Sequence, residues 1–303
     1  MAPVVPAVQL QGLTKFYGDS LGVEEITFQV QPGEIVGFLG PNGSGKTTVL
    51  RMLVGLISVT RGSALIFGED VATAGPGLRA RVGYLPGTLS LYGHMTARDY
   101  LGFLSRMRRL DCAPRIEELS RRFALDLDRR IDDMSKGNKQ KVGVIQAFMH
   151  SPDLLLLDEP TSGLDPIVQR EFDDVLGEAR DRGAAVLLSS HVMSEVERLA
   201  THVAIINKGH LVVFDYVESL RDRTVRRVIL EFVTEQDAAA FEAVPGFSVE
   251  SRSGRHVTGL MPGSQHDLLQ SALRQNLVTV HSPEPSLDDL FVGLVNGGGP
   301  GAR

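Results

Sequence analysis

Gly40-Pro41-Asn42-Gly43-Ser44-Gly45-Lys46-Thr47-Thr48 follows the apolar run Ile35-Val36-Gly37-Phe38-Leu39 and precedes a helix-like stretch, Val49-Leu50-Arg51-Met52-Leu53-Val54. The nine residues match G-x-x-x-x-G-K-[ST] in its strand, loop, helix context. The glycines let the backbone curl tightly, so that successive N–H groups and a helix N-terminus converge on phosphate oxygens. Lys46 is expected to reach the β and γ phosphates and Thr47 to place its hydroxyl on Mg²⁺. A glycine-rich turn with one solvated lysine would not explain why a hydroxyl follows that lysine directly.

Composition bounds the rest. The 303 residues suffice for two domains at about 100 to 200 residues each. With 31 Lys plus Arg against 37 Asp plus Glu, the net charge is -6, which argues against nucleic acid as a partner. The lone cysteine, Cys112, excludes an internal disulfide and a multi-cysteine zinc site. The N-terminus has no basic region and two early prolines, Pro3 and Pro6, unlike a signal peptide. Apolar runs fall short of the about 18 residues that a membrane span requires. A cytoplasmic protein is expected, and any membrane spans it works with must come from another polypeptide.

Strand-like alternation over residues 8–30, with turn signals at Gly18-Asp19-Ser20 and Leu21-Gly22, predicts an antiparallel β-region, with Tyr17 in its first loop. Residues 62–68 and 82–87 read as two further strands. Residues 96–147 change to helical spacing, as in Tyr100, Leu101, Phe103, Leu104 and Met107, and carry arginine pairs at 108–109, 121–122 and 129–130. This reads as a helical insertion whose arginines form a solvated face. Leu154-Leu155-Leu156-Leu157 then closes on Asp158-Glu159, as expected of a strand buried on both faces of a parallel sheet. Two adjacent carboxylates at such a strand end are costly to bury without a metal or partner. A helix over 167–182, a strand over 184–189, a helix over 193–199 and a strand over 203–206 complete an alternating α/β pattern.

Beyond about residue 223 the order is strand 225–233, helix 236–243, a hairpin of 247–250 with 256–261, helix 265–276, strand 277–281 and a last helix 287–295. That β-α-β-β-α-β sequence predicts a small ferredoxin-like α+β domain over 223–296. The glycine-rich tail, 297–303, is expected to be disordered.

The phosphate loop, Met134-Ser135-Lys136-Gly137-Asn138-Lys139-Gln140, the Leu-rich strand with Asp158-Glu159, Ser162-Gly163-Leu164-Asp165-Pro166 and Ser189-Ser190-His191 follow one another in a fixed order. In that order, over about residues 8 to 220, the chain resembles the ATP-binding subunit of ABC transporters. The resemblance implies a P-loop NTPase core over 1–222, with an N-terminal antiparallel β-subdomain and a helical subdomain at about 96–147. It implies ATP and Mg²⁺ as cofactors. Thr47 and Asp158 would hold the metal, Glu159 would act as general base, and Lys46 and His191 would face the γ-phosphate. Tyr17 falls where the family places an aromatic that stacks on adenine. Ser135 and Gly137 stand in the signature sequence, ahead of a helix expected over 139–149, which in the family contacts the phosphate held by the opposite subunit. Asp165 would lie near the seam between the two. The resemblance implies a second nucleotide-binding chain, with a homodimer expected and a heterodimer left open, on an integral membrane permease at the inner face of the membrane.

Two departures stand out. The signature reads MSKGN, with Lys136 and Asn138 where the family commonly has glycine and glutamine. After Val82-Gly83-Tyr84-Leu85-Pro86 comes Gly87, where the family usually has a glutamine that contacts Mg²⁺ and reports to the membrane subunit. Coupling must then pass through another group, and the neighbouring Thr88 hydroxyl is the candidate by position. The C-terminal stretch Glu284-Pro285-Ser286-Leu287-Asp288-Asp289-Leu290-Phe291 is similar to the extension on drug and antibiotic exporter (ABC-2 type) subunits. The expected function is therefore an ATPase subunit driving export of a drug, antibiotic or lipid-like substrate. The competing class is a soluble ABC-type ATPase acting on ribosomes or DNA, whose chains usually carry tandem domains or a long coiled-coil insertion that this sequence lacks.

Overall fold

The computed structural model describes residues 4–222, 225–262 and 265–282. The chain divides into two compact units, with the boundary in sequence between Asp215 and Tyr216.

The first unit opens with a β-hairpin, β1 (Val8–Tyr17) and β2 (Ser20–Val30), whose turn is Gly18-Asp19. Leu21-Gly22, read as a turn signal in the sequence, is instead part of β2, and Tyr17 ends β1 rather than lying in the loop. There follow β3 (Ile35–Leu39), α1 (Lys46–Leu53), β4 (Arg61–Ile66), the two-residue β5 (Glu69–Asp70), α2 (Pro76–Ala80) and β6 (Val82–Leu85). The helical segment contains α3 (Ala97–Arg108), α4 (Ala113–Arg122), a 3₁₀ turn at Ile131–Asp133 and α5 (Lys136–Phe148). Then come β7 (Leu154–Asp158), α6 (Pro166–Asp181), β8 (Ala185–Ser190), α7 (Met193–Leu199), β9 (His202–Asn207) and β10 (His210–Tyr216).

These strands form one sheet in the order β5-β4-β1-β2-β10-β9-β3-β8-β7-β6. The strands from β9 to β6 pair in parallel, while β1, β2, β4 and β5 pair antiparallel. Every residue of β3, β7 and β8 is buried, which explains their unbroken apolar runs. Alternation still shows in which side each residue faces. Leu155 and Leu157 join the core cluster that holds Phe172 of α6 and Tyr100, Leu119 and Phe148 of the helical segment. Leu154 and Leu156 join the cluster built on Val49, Leu50 and Met52 of α1. Helices thus cover both faces of the parallel sheet, and its strand ends carry Gly40, Asp158 and His191 to one edge.

The arginine pairs are not uniformly solvated, contrary to the sequence reading. Arg122 at the end of α4 is 21% exposed and reaches Glu171 and Glu178 of α6. Arg108 lines an apolar cavity with Leu53, Val71, Leu78 and Tyr84.

The second unit holds α8 (Val217–Asp222), β11 (Val225–Phe232), α9 (Glu235–Ala240), β12 (Ser248–Ser253), β13 (His256–Pro262), α10 (His266–Leu273) and β14 (Leu277–His281). Its four-stranded antiparallel sheet runs β12-β13-β11-β14, the strand order of a ferredoxin-like domain. Val228, Leu230 and Phe232 of β11 pack with Phe241, Phe247, Val257 and Leu268 in a core of their own. A capping box at Thr234 and Asp237 starts α9. The expected helix over 287–295 and the tail lie outside the described residues.

Candidate active site

The phosphate loop is set by α1 and by what surrounds its start. Gly45, at the N-cap of α1, has φ +113, and a Cβ there would stand 2.3 Å from Val23 Cγ1. Only glycine fits both the torsion and the space. Lys46 opens the helix, yet its side chain is only 6% exposed because it folds back over the loop. Its Nζ donates to the carbonyls of Gly40 at 2.5 Å and Pro41 at 3.2 Å. Burial lowers the Lys46 pKa, and the carboxylates of Glu159 and Asp158 pull the other way.

Strands β7 and β8 bring their ends to the same place. Thr47 Oγ1 donates to Asp158 Oδ2 at 2.7 Å, and Ser189 Oγ donates to Asp158 Oδ1 at 2.5 Å. Asp158 is thereby fixed through both oxygens, at 1% exposure. Glu159 follows at φ +49, a left-handed conformation that a non-glycine residue rarely adopts. Its backbone N–H donates to the Ser189 carbonyl and to Ser189 Oγ, each at 3.2 Å. Glu159 Oε2 meets His191 Nδ1 at 2.7 Å, while Oε1 lies 3.8 Å from Lys46 Nζ.

A cleft of about 320 Å³ opens over these groups, lined by Tyr17, Leu21, Gly22, Asn42, Gly43, Gly45, Lys46, Thr47, Thr48 and Glu159. Tyr17 is half-exposed at its rim, with Lys15 Nζ 5.3 Å from its ring centre. Among the described residues, Ser44 Oγ and Glu159 Oε1 are buried without a hydrogen-bond partner. Such orphan oxygens fit a site completed by phosphate, metal and water. Two adjoining hard oxygen donors, Thr47 and Asp158, suit Mg²⁺, which takes few protein ligands and fills the rest of its shell from phosphates and water.

Ser135, Gly137 and Asp165 do not line this cleft. Ser135 is the N-cap of α5 and accepts from the Asn138 N–H at 3.3 Å. The helix therefore starts three residues earlier than expected, and Gly137 lies in its first turn, not ahead of it. A Cβ on Gly137 would come 2.7 Å from the Gly163 carbonyl, so the two segments touch backbone to backbone. Asp165 caps α6 by accepting from the Ile167 and Val168 N–H groups, both at 3.0 Å. Those backbone bonds hold its carboxyl below the usual range. Gln140 closes the signature run, yet the sequence assigns it no role. It donates to the Pro160 carbonyl at 2.9 Å and so ties α5 to the segment that follows Glu159. Ser189 was visible in the sequence only as part of the Ser-Ser-His run, and no pattern signals that it binds Asp158.

The chain is similar to known proteins in sequence and in fold. The ABC transporter family profile matches residues 23–162. The chain is 33% identical over 302 residues to the bacitracin transport ATP-binding protein BcrA of Bacillus licheniformis, covering 96% of this chain and 98% of that one. A solved ATP-binding subunit of an ABC transporter superposes with a TM-score of 0.68 at 30% identity, covering 71% of this chain and 92% of that one. The dimeric bacterial cassette MJ0796 has the same fold, with a TM-score of 0.62 at 21% identity over 69% of this chain and 98% of that one. With the phosphate loop, the paired carboxylates and the histidine assembled at one sheet edge, the chain belongs to the ATP-binding proteins of ABC transporters.

Proposed function

We propose that this chain binds Mg²⁺-ATP in the cleft over Lys46 and hydrolyses it against a second copy of itself, driving export through a separate membrane permease. The observation that carries the catalytic half is the 2.7 Å contact between Glu159 and His191 beside the Thr47–Asp158 pair. Glu159 is placed to accept a proton from the attacking water. His191 orients that carboxylate and faces the γ-phosphate, and Lys46 neutralises phosphate charge. Bound Mg²⁺, held by Thr47 and Asp158, would supply charge stabilisation on the phosphate oxygens.

Ser135 and Gly137 support the two-copy reading because they stand outside the cleft of their own chain. If they contact phosphate, the phosphate belongs to another copy. Among the described residues no helix is long and apolar enough to cross a membrane, so the spans are assigned to a partner. Alignment with the bacitracin transport protein along nearly the whole of both chains favours an antibiotic-like cargo and a site of work at the inner face of the membrane.

The test is Glu159→Gln. The variant should bind ATP as the wild type does, lose at least about 100-fold in kcat, and accumulate as an ATP-loaded dimer on size exclusion. Normal turnover would overturn the role of Glu159. Purification from detergent-solubilised membranes should recover a multi-span protein, and recovery of ribosomal proteins instead would overturn the transport reading.

A further inference from the structure

Two residues, His191 and Val192, link β8 to α7, and Glu195 lies in the first turn of α7. Its carboxylate points back along the chain and holds two hydroxyls. Oε1 accepts from Thr161 Oγ1 at 2.6 Å and Oε2 accepts from Ser190 Oγ at 2.7 Å. Both hydroxyl residues are buried, Thr161 at 5% and Ser190 at 0% exposure. Thr161 comes two residues after Glu159, and Ser190 comes immediately before His191. One carboxylate therefore spans the segment that leaves the acid and the segment that carries the histidine. Ser190 Oγ also accepts from the Val192 N–H at 2.9 Å, which closes the link around His191.

We propose that Glu195 is a positioning residue that fixes Glu159 and His191 relative to each other, so that the pair acts as one unit. The inference rests on the reading of that pair as the hydrolytic machinery. Glu159 needs such support because its left-handed backbone persists only where the surroundings over-determine it. Hydrogen bonds from hydroxyls to a carboxylate are among the stronger ones in proteins, and removing this acceptor takes from Thr161 Oγ1 its partner and leaves Ser190 Oγ only its contacts with the Val192 backbone. Glu195 touches neither the cleft nor the phosphate loop through any of these bonds. Its effect should therefore fall on turnover and not on ATP affinity.

The experiment compares Glu195→Ala, Glu195→Gln, Thr161→Val and Ser190→Ala in the full chain, by steady-state ATP hydrolysis and by hydrogen exchange. Glu195→Ala should lower kcat by about tenfold or more with the KM for ATP within about twofold of wild type. Amide exchange should quicken together in the segments 159–164 and 189–193 and stay unchanged elsewhere. Glu195→Gln keeps one acceptor and offers an amide to the other hydroxyl, so it should recover most of the lost kcat. Thr161→Val and Ser190→Ala each remove one arm and should reproduce the turnover loss even if the alanine variant at 195 fails to fold. Unchanged kcat and exchange, a matching rise in KM, or loss of protection across the whole chain would each overturn the proposal. Wild-type protein that binds ATP but hydrolyses none would instead overturn the reading of Glu159 and His191, and the exchange data would still decide whether Glu195 joins the two segments.

Discussion

Gly87 stands against Asp158: a Cβ at position 87 would lie 2.9 Å from Asp158 Oδ2 and 3.2 Å from its Cγ. Asp158 cannot yield easily, since Thr47 and Ser189 hold one oxygen each. Restoring the glutamine common in the family should therefore harm this enzyme. Gly87→Gln is expected to lower Mg²⁺-dependent hydrolysis by about tenfold and to raise the Mg²⁺ concentration needed for half-maximal rate, with nucleotide binding in EDTA unchanged. A Mg²⁺ titration of the rate checks this, and a faster variant would show that the segment after β6 moves aside.

Lys46 is a buried cation held by two carbonyl oxygens and a nearby carboxylate. Lys46→Met removes the cation and leaves those carbonyls without their donor. ATP affinity should fall by about 100-fold, measured by fluorescent-nucleotide displacement. Lys46→Arg should recover little, because the planar guanidinium does not fit a pocket made for a compact ammonium.

His191 is exposed, and its Nδ1 meets Glu159 Oε2. His191→Ala should cost about 10- to 100-fold in kcat with little change in KM, as for loss of an interaction made in the transition state. An equal rise in KM would move His191 to ground-state nucleotide binding.

The parts of the fold that could be read in the sequence are those where one local pattern decides the structure. Five buried positions in a row mark β3 and β7, and Gly45-Lys46-Thr47 marks the loop. The strand β10 was missed, although Lys208 at φ +47 and Gly209 at φ +84 form the two-residue turn that signals a hairpin. Its half-buried residues give no clean alternation. The pairing of Glu159 with His191 joins residues 32 positions apart and depends on β7 and β8 being neighbours. Glu195 carries no pattern at all, since its meaning lies in two hydroxyls that only the fold brings to it.

Arg122 ties α4 to α6: its Nη1 is 2.8 Å from Glu178 Oε1, and its Nε also pairs with Glu171. Those carboxylates hold its pKa above the usual arginine value. The group is mostly shielded from solvent and engages two acids at once, so it should exceed an isolated surface pair. Arg122→Ala is expected to cost about 1 kcal/mol in urea denaturation. Arg122→Lys should recover less than half, because a single ammonium cannot span both carboxylates.

His150 makes stability depend on acidity. Its Nε2 lies 3.2 Å from the Val82 carbonyl, so Nε2 carries the proton and donates it, while Nδ1 is buried without a partner. Burial lowers its pKa to about 4, and the Arg108 guanidinium pushes the same way. In the unfolded chain the imidazole titrates near its ordinary value of about 6.5. Between those two values the unfolded state takes up the proton and the folded state does not. The contribution is therefore fully present above about pH 6.5 and is lost progressively as the pH falls toward about 4, by at most about 3 kcal/mol. Urea denaturation at pH 7.5 and pH 5 should show the loss in wild type. His150→Phe should flatten that difference, and Arg108→Met should narrow it by letting the folded-state imidazole protonate at higher pH. Equal pH dependence in wild type and His150→Phe would place the acid sensitivity in other groups.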